Sequence, residues 1–147
     1  EKLISENKRM KFPIQVVVAG KNPGRELVNN IRSQGWQCFP DPVDSKLNEL
    51  MTSCSVHLLV GFKTTGIKLK VIRALLTGKP CIITSELILN SGLEKHCIIW
   101  DPKLALADQI KNVHPLAENE ISDRFNEMKT QFGIEKLQQV LKTIAFL

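Results

Sequence analysis

The chain has 147 residues, 43% hydrophobic and 24% charged, a balance that suits one ordinary globular domain and excludes a disordered chain. A net charge of +5 fits an anionic ligand, an anionic membrane surface or nucleic acid, but only 5% of residues are aromatic and none is Tyr, so a stacking platform for single strands is poorly supplied and nucleic acid is not expected. No apolar run approaches the roughly 18 residues of a membrane span and no signal peptide is visible; Cys38, Cys54, Cys81 and Cys97 lack the paired spacing of a zinc site, so they read as reduced thiols of a cytoplasmic protein and no metal is expected.

Residues 1–13 are polar and basic and read as a linker or a short helix. Ile14-Gln15-Val16-Val17-Val18-Ala19 is a β-branched run ending at Gly20, the pattern of a buried parallel strand. Asn22 and Pro23 then predict an N-cap and first helical position. The helix carries Leu27, Val28 and Ile31 inward and stops at Gly35. Trp36 to Phe39 reads as a second strand, Pro40-Asp41-Pro42 as a rigid turn, and Asp44 as the cap of a helix bearing Leu47, Leu50 and Met51.

Val56 to Val60 predicts a third strand, which leads into the most informative stretch, Gly61 to Ser85. Gly66 opens a helix there, and Gly78-Lys79-Pro80 closes it. At about 100° per residue, Ile67, Leu69, Val71, Ile72, Ala74, Leu75 and Leu76 fill a broad apolar arc. Lys63, Lys68 and Lys70 crowd the N-terminus, and no acid occurs between Glu49 and Glu86. Cations there oppose the helix dipole, by roughly 0.3–1 kcal/mol each, and suit an anion bound at the helix start.

Cys81 to Thr84 and Cys97 to Trp100 predict the fourth and fifth strands, with an irregular segment between them and a turn at Ser91-Gly92. Asp101-Pro102 predicts another helix start, with Leu104, Ala107 and Ile110 inward. Ile121, Phe125, Met128 and Phe132 follow at helical spacing up to Gly133, and Ile134, Leu137, Leu141 and Ile144 mark a last helix.

Short β-rich runs alternating with helices predict an α/β fold: a doubly wound, mostly parallel sheet of five to six strands, with helices on both faces and C-terminal helices after it. Ligands of such sheets sit outside the C-terminal strand ends. Two junctions there place glycine and a cation at a helix start: Gly20-Lys21-Asn22-Pro23-Gly24-Arg25, and Lys63 to Lys70. Together they suggest a phosphate-bearing ligand. Gly20 to Gly24 fits neither the Walker spacing nor G-x-G-x-x-G, although Asp41 stands about 20 residues beyond Gly20, where a dinucleotide fold keeps its ribose acid. His57, His96 and His114 have no nucleophile motif beside them, and His57 reads as a core or edge residue of its strand. A regulator of flavodoxin-like type would need an acidic cluster at the strand ends, where only Asp41 and Asp44 are near.

The order of these features resembles the bacterial glycosyltransferases of the GT-B fold. Gly20-Lys21-Asn22-Pro23 is similar to their G-[KR]-x-P turn, and Gly66 to Pro80 to their G-x-x-x-K-x-x-E-A-x-x-x-G-K-P segment; Ser91-Gly92-Leu93-Glu94 and Cys97-Ile98-Ile99-Trp100 follow in the expected order. The resemblance spans Ile14 to Val113 and implies the C-terminal, donor-binding half of a hexosyltransferase that acts on a glycan or lipid-linked acceptor. It implies a linker or interdomain helix over 1–13, a Rossmann-like nucleotide-sugar-binding domain over 14–115, and C-terminal helices over 116–147. The acceptor half is expected before Glu1, and the isolated domain is expected to turn nothing over. The substrate is a nucleotide-diphosphate sugar, with no separate cofactor and no metal required. Lys21 is expected near the diphosphate, Gly66 to allow close backbone approach, Lys68 and Lys70 to add charge, and Phe39 to lie by the base.

Two positions depart from the family pattern. Arg73 stands where a Glu usually holds the ribose hydroxyls, and Thr65 where retaining members often carry an acid. Arg accepts no hydrogen bond. Either Arg73 meets a phosphate, or the nucleotide sits differently, or activity is lost. No catalytic residue is assigned, and a non-catalytic binding module of the same fold is the alternative.

Overall fold

The computed structural model describes residues 14–61 and 69–133, and within them the β-branched runs pair in parallel. In chain order the elements are β1 (Val17–Gly20), α1 (Arg25–Ser33), β2 (Gln37–Pro40), α2 (Asp44–Ser53), β3 (His57–Leu59), α3 (Leu69–Leu75), β4 (Cys81–Ile83), two 3-10 turns (Ser85–Leu87 and Glu94–His96), β5 (Ile98–Ile99), α4 (Leu106–Lys111) and α5 (Glu118–Phe132). The architecture is α/β, and the chain divides into two units, Glu1–Cys54 with Trp100–Val113, and Ser55–Ile99 with His114–Leu147. The expected linker over 1–13 and last helix from Ile134 lie outside the described residues, as do Lys63, Thr65, Gly66, Ile67 and Lys68.

In the first unit β1 lies beside β2, with Val17 opposite Gln37 and Gly20 opposite Pro40. Ile31 of α1 and Leu106 and Ala107 of α4 are buried. The expectation of a buried first strand is corrected: Val17 and Ala19, which share one face of β1, are exposed, and Val18 on the other face is half-buried. Helix α1 starts two residues later than predicted. Asn22 sits at φ +49, in the left-handed region rather than the extended backbone of an N-cap, and Gly24 takes that place. Likewise Asp44 is the first residue of α2 and Val43 its cap. Asp101 turns the chain instead of starting α4: its Oδ1 accepts the Lys103 N–H at 2.8 Å, and Gln109 bonds back to its main chain at 2.9 and 3.1 Å.

The second unit holds β3-β4-β5, with His57 opposite Cys81 and Ile82 opposite Ile98. Strand β4 lies between its neighbours, and Cys81, Ile82 and Ile83 are all buried, as the unbroken apolar run requires. Val71, Ala74 and Leu75 of α3, with Leu87, Ile88, Leu93 and Met128, complete this core. The predicted apolar arc narrows: Leu69 and Leu76 face water. Gly78 ends the helix as expected. Its φ of +72 suits glycine, and its N–H bonds the Leu75 carbonyl at 3.2 Å.

Helix α5 is rolled relative to its predicted stripe. Met128 is buried, but Phe125 is 55% exposed, and Arg124, at 5%, takes the inner position. The guanidinium makes this tolerable by donating to the Lys79 carbonyl at 2.9 Å and the His96 carbonyl at 3.1 Å. Among the described residues no helix is long and apolar enough to cross a membrane.

Candidate functional site at the strand ends

The C-terminal end of β1 is closed by a polar clasp. The Asp41 N–H donates to the Gly20 carbonyl at 2.8 Å, and the Asp41 carboxylate accepts the Asn22 N–H at 2.8 Å. Both Asn22 and Asp41 take positive φ, at +49 and +48, which these two residue types accept more readily than most. Lys21 and Arg25 stand exposed on this turn, and a Cβ added at Gly20 or Gly24 would meet nothing within 4 Å. The turn therefore offers open space and positive charge. It also spends one backbone donor, the Asn22 N–H, on an internal carboxylate. Phe39, expected beside a base, is half-buried in β2, and the Lys46 ammonium lies 5.4 Å from its ring centroid. A stacking base would replace that cation–π contact.

At the end of β3 the clasp is different. The Thr84 hydroxyl accepts the Gly61 N–H at 3.1 Å and donates to the Gly61 carbonyl at 2.8 Å. The Lys70 ammonium donates to the Val60 carbonyl at 3.0 Å. A Cβ at Gly61 would collide with the Leu87 side chain, so glycine is required by close approach. Arg73 is half-buried in the last turn of α3, where a cation has the favourable sign for the helix dipole.

Of the residues expected to form the site, Gly20, Lys21 and Phe39 belong to the first unit, and Lys70 and Arg73 to the second. Thr65, Gly66 and Lys68 lie outside the described residues. Sequence reasoning missed Thr84. Its signal was a single hydroxyl closing the apolar run Cys81-Ile82-Ile83. It also missed Arg124, which carried no signal, because apolar neighbours at helical spacing pointed to another face.

The opposite, N-terminal ends of the strands carry a second polar group. Buried His57 meets Thr77 Oγ1 at 2.8 Å, and the Thr77 hydroxyl donates its proton to the Ala74 carbonyl at 2.6 Å. The imidazole Nε2 is therefore the donor in the first bond. Burial, then the Lys79 charge, lowers the His57 pKa from the ordinary 6.5 and keeps the ring neutral. Nearby, a cleft of about 380 Å³ is lined by Lys95, His96, Cys97, His114, Arg124 and Glu127, among others. Glu127 accepts from Lys95 at 2.8 Å and His96 at 2.9 Å. These contacts, led by the Lys95 hydrogen bond, hold its carboxyl below the usual range. Burial pushes the Cys97 thiol up to about 11, so it is protonated at neutral pH and a poor nucleophile. Among the described residues no group of three His, Cys, Asp or Glu side chains is placed to hold a metal ion.

A scan against protein-family models, a search of curated proteins and a search of solved structures return no match to this chain.

Proposed function

We propose that the chain is the donor-binding domain of a glycosyltransferase that takes a nucleotide-diphosphate sugar. One observation carries the reading. The order of elements around the stretch that resembles the donor-binding segment supports it: β3 ends two residues before Gly61, α3 follows, Gly78 turns the chain, and β4 returns parallel to β3. Such an exit from a parallel strand faces the edge where α/β sheets bind ligands. The doubly wound, Rossmann-like fold expected for the role is consistent with the parallel pairing in both units.

In the reaction the bond between the anomeric carbon and the diphosphate oxygen breaks, and an acceptor oxygen bonds that carbon as its proton leaves. The diphosphate departs with the bonding electrons. Cationic side chains of the segment that resembles the donor site, Lys68 among them, would neutralise the charge that develops on it. The acceptor half, preceding Glu1, would supply the second substrate, and an anionic membrane surface would suit the +5 charge. The four free thiols fit a cytoplasmic setting.

Calorimetry with uridine, guanosine and adenosine diphosphates on the full chain tests the proposal. Binding of one of them, lost in Lys68→Ala, is the expected result; no binding to any removes the reading. Arg73 favours a second reading, a binding module without catalysis, because a half-buried cation stands where the ribose-holding acid belongs. If Arg73→Glu raises nucleotide affinity, that second reading fails.

A further inference from the structure

We propose that Cys81 and Cys97 are a redox pair, two thiols placed to close a reversible disulfide between β4 and β5. The pair stands independently of the donor-domain reading.

Ile82 stands opposite Ile98 and Ile83 opposite Ile99. One step back along both strands, Cys81 therefore stands opposite Cys97. Cys97 lies just before β5, but its backbone is already extended, at φ −127 and ψ 151, so the register and the alternation of side chains carry through it. In-register residues of parallel neighbours point to the same side of a sheet, and both cysteines line the same cleft. Parallel strands lie about 4.7–4.9 Å apart, and disulfides join Cα atoms about 4.4–6.8 Å apart, so the backbone meets the requirement as it stands. Cys38 has no such neighbour on β1, where Val18 stands opposite it.

Both thiols are free, and Arg124 holds the chain leading into each. Its guanidinium donates to the Lys79 carbonyl, which the Cys81 S–H also meets at 3.5 Å, and to the His96 carbonyl, next to Cys97. Cys81 is shut from water at 1% exposure, whereas Cys97 is half-buried, so a reagent enters through Cys97. The Cys97 sulfur, having lost its proton, attacks one sulfur of a low-molecular-weight disulfide and releases the first small thiol. The Cys81 sulfur, losing its proton in turn, attacks the Cys97 sulfur of the mixed disulfide and expels the second. Two protein thiols are oxidised by two electrons, one small disulfide is reduced to two thiols, and the two protons leave with them. Cys97 is protonated at neutral pH, so the exchange is slow there. The bridge fastens the edge on which α5 is docked. Cys97 follows His96, and His96 holds α5 twice, by its carbonyl to Arg124 and by its ring to Glu127.

The test uses the full chain with bis(2-hydroxyethyl) disulfide at about pH 8.5, native and in urea, read by peptide mapping. The reagent is raised until Cys38 and Cys54 have reacted, which shows that it is active. The native chain should then carry a bridge between Cys81 and Cys97 that dithiothreitol reverses, and the bridged chain should unfold at higher urea than the reduced one. Cys97→Ser should leave Cys81 unmodified, and Cys81→Ala should stop Cys97 at the mixed disulfide. The inference is overturned if native Cys97 stays free, or ends as the mixed disulfide with Cys81 untouched. It is also overturned if the bridge forms only in urea, if the bridged chain unfolds at the same or lower urea, or if Cys81 reacts in Cys97→Ser. Should Cys81→Ala not fold, the unmodified chain and Cys97→Ser still decide.

Discussion

The two units finish their strands with opposite chemistry. After β1 the chain is clasped by a carboxylate, Asp41, which occupies the Asn22 N–H. After β3 it is clasped by a neutral hydroxyl and an ammonium, Thr84 and Lys70. Both solutions satisfy backbone groups, but only the first places a negative charge beside them. An anion approaching the β1 turn meets Lys21 and Arg25 together with Asp41; one approaching the end of β3 meets no such opposing carboxylate among the clasp residues. The cores differ as well. The second unit buries a whole strand and one face of α3, whereas β1 is largely exposed. The better-buried unit is the one whose strand end carries no carboxylate among its clasp residues.

That contrast can be broken most decisively in the sheets. Ile82→Ala, at a fully buried position, should cost about 3–5 kcal/mol, whereas Val17→Ala, on the exposed strand, should cost under about 1 kcal/mol. Urea unfolding followed by circular dichroism compares them, and similar losses would erase the distinction between the units. Next in size is Arg124→Met. It leaves the Lys79 and His96 carbonyls without their donor, and a loss of about 2–3 kcal/mol is expected in the same assay. A neutral result would mean that water replaces the guanidinium.

Acid should act on the second unit first. Both His57 and Glu127 have folded pKa values below their free values, so the unfolded chain binds more protons and stability rises with pH. The His57 contribution is complete above the free value of 6.5 and is lost as pH falls through the lower folded value. The Glu127 contribution is complete above the free carboxyl value of 4.5 and is lost in turn below it. Unfolding midpoints from pH 8 to pH 3 should therefore fall in two stages. His57→Gln should remove the upper stage and Glu127→Gln the lower.

The smallest effect sharpens the contrast from the other side. Asp41→Asn keeps an oxygen for the Asn22 N–H and removes the charge. Anion affinity should rise about two- to fivefold at low salt, and the gain should fade as salt is added. An unchanged affinity would place the anion away from the β1 turn.

Much of the architecture was legible because it rests on local chemistry. Cys81-Ile82-Ile83 reads as a strand buried on both sides and is one, and Gly78 stops a helix because glycine takes the left-handed backbone there without a Cβ penalty. The failures came where distant partners decide. Asn22 has the chemistry of an N-cap, but Asp41, far along the chain, draws its amide into a left-handed turn. Phe125 has the spacing of a core residue, yet two carbonyls from the strand approaches pair with the two Nη atoms of Arg124, which takes the inner position instead. Of the expected site, the glycines and lysines stand out as residue types, while the hydroxyl of Thr84 that pairs with Gly61 is visible only once β4 is placed beside β3.

The raised pKa of Cys97 has a practical consequence for anyone handling the protein. At pH 7 its thiol is protonated, so electrophilic labels and peroxide should spare it, and Cys81 is shielded by burial. Probes attached under mild conditions will report from Cys38 and Cys54, in the first unit, and leave the second chemically silent.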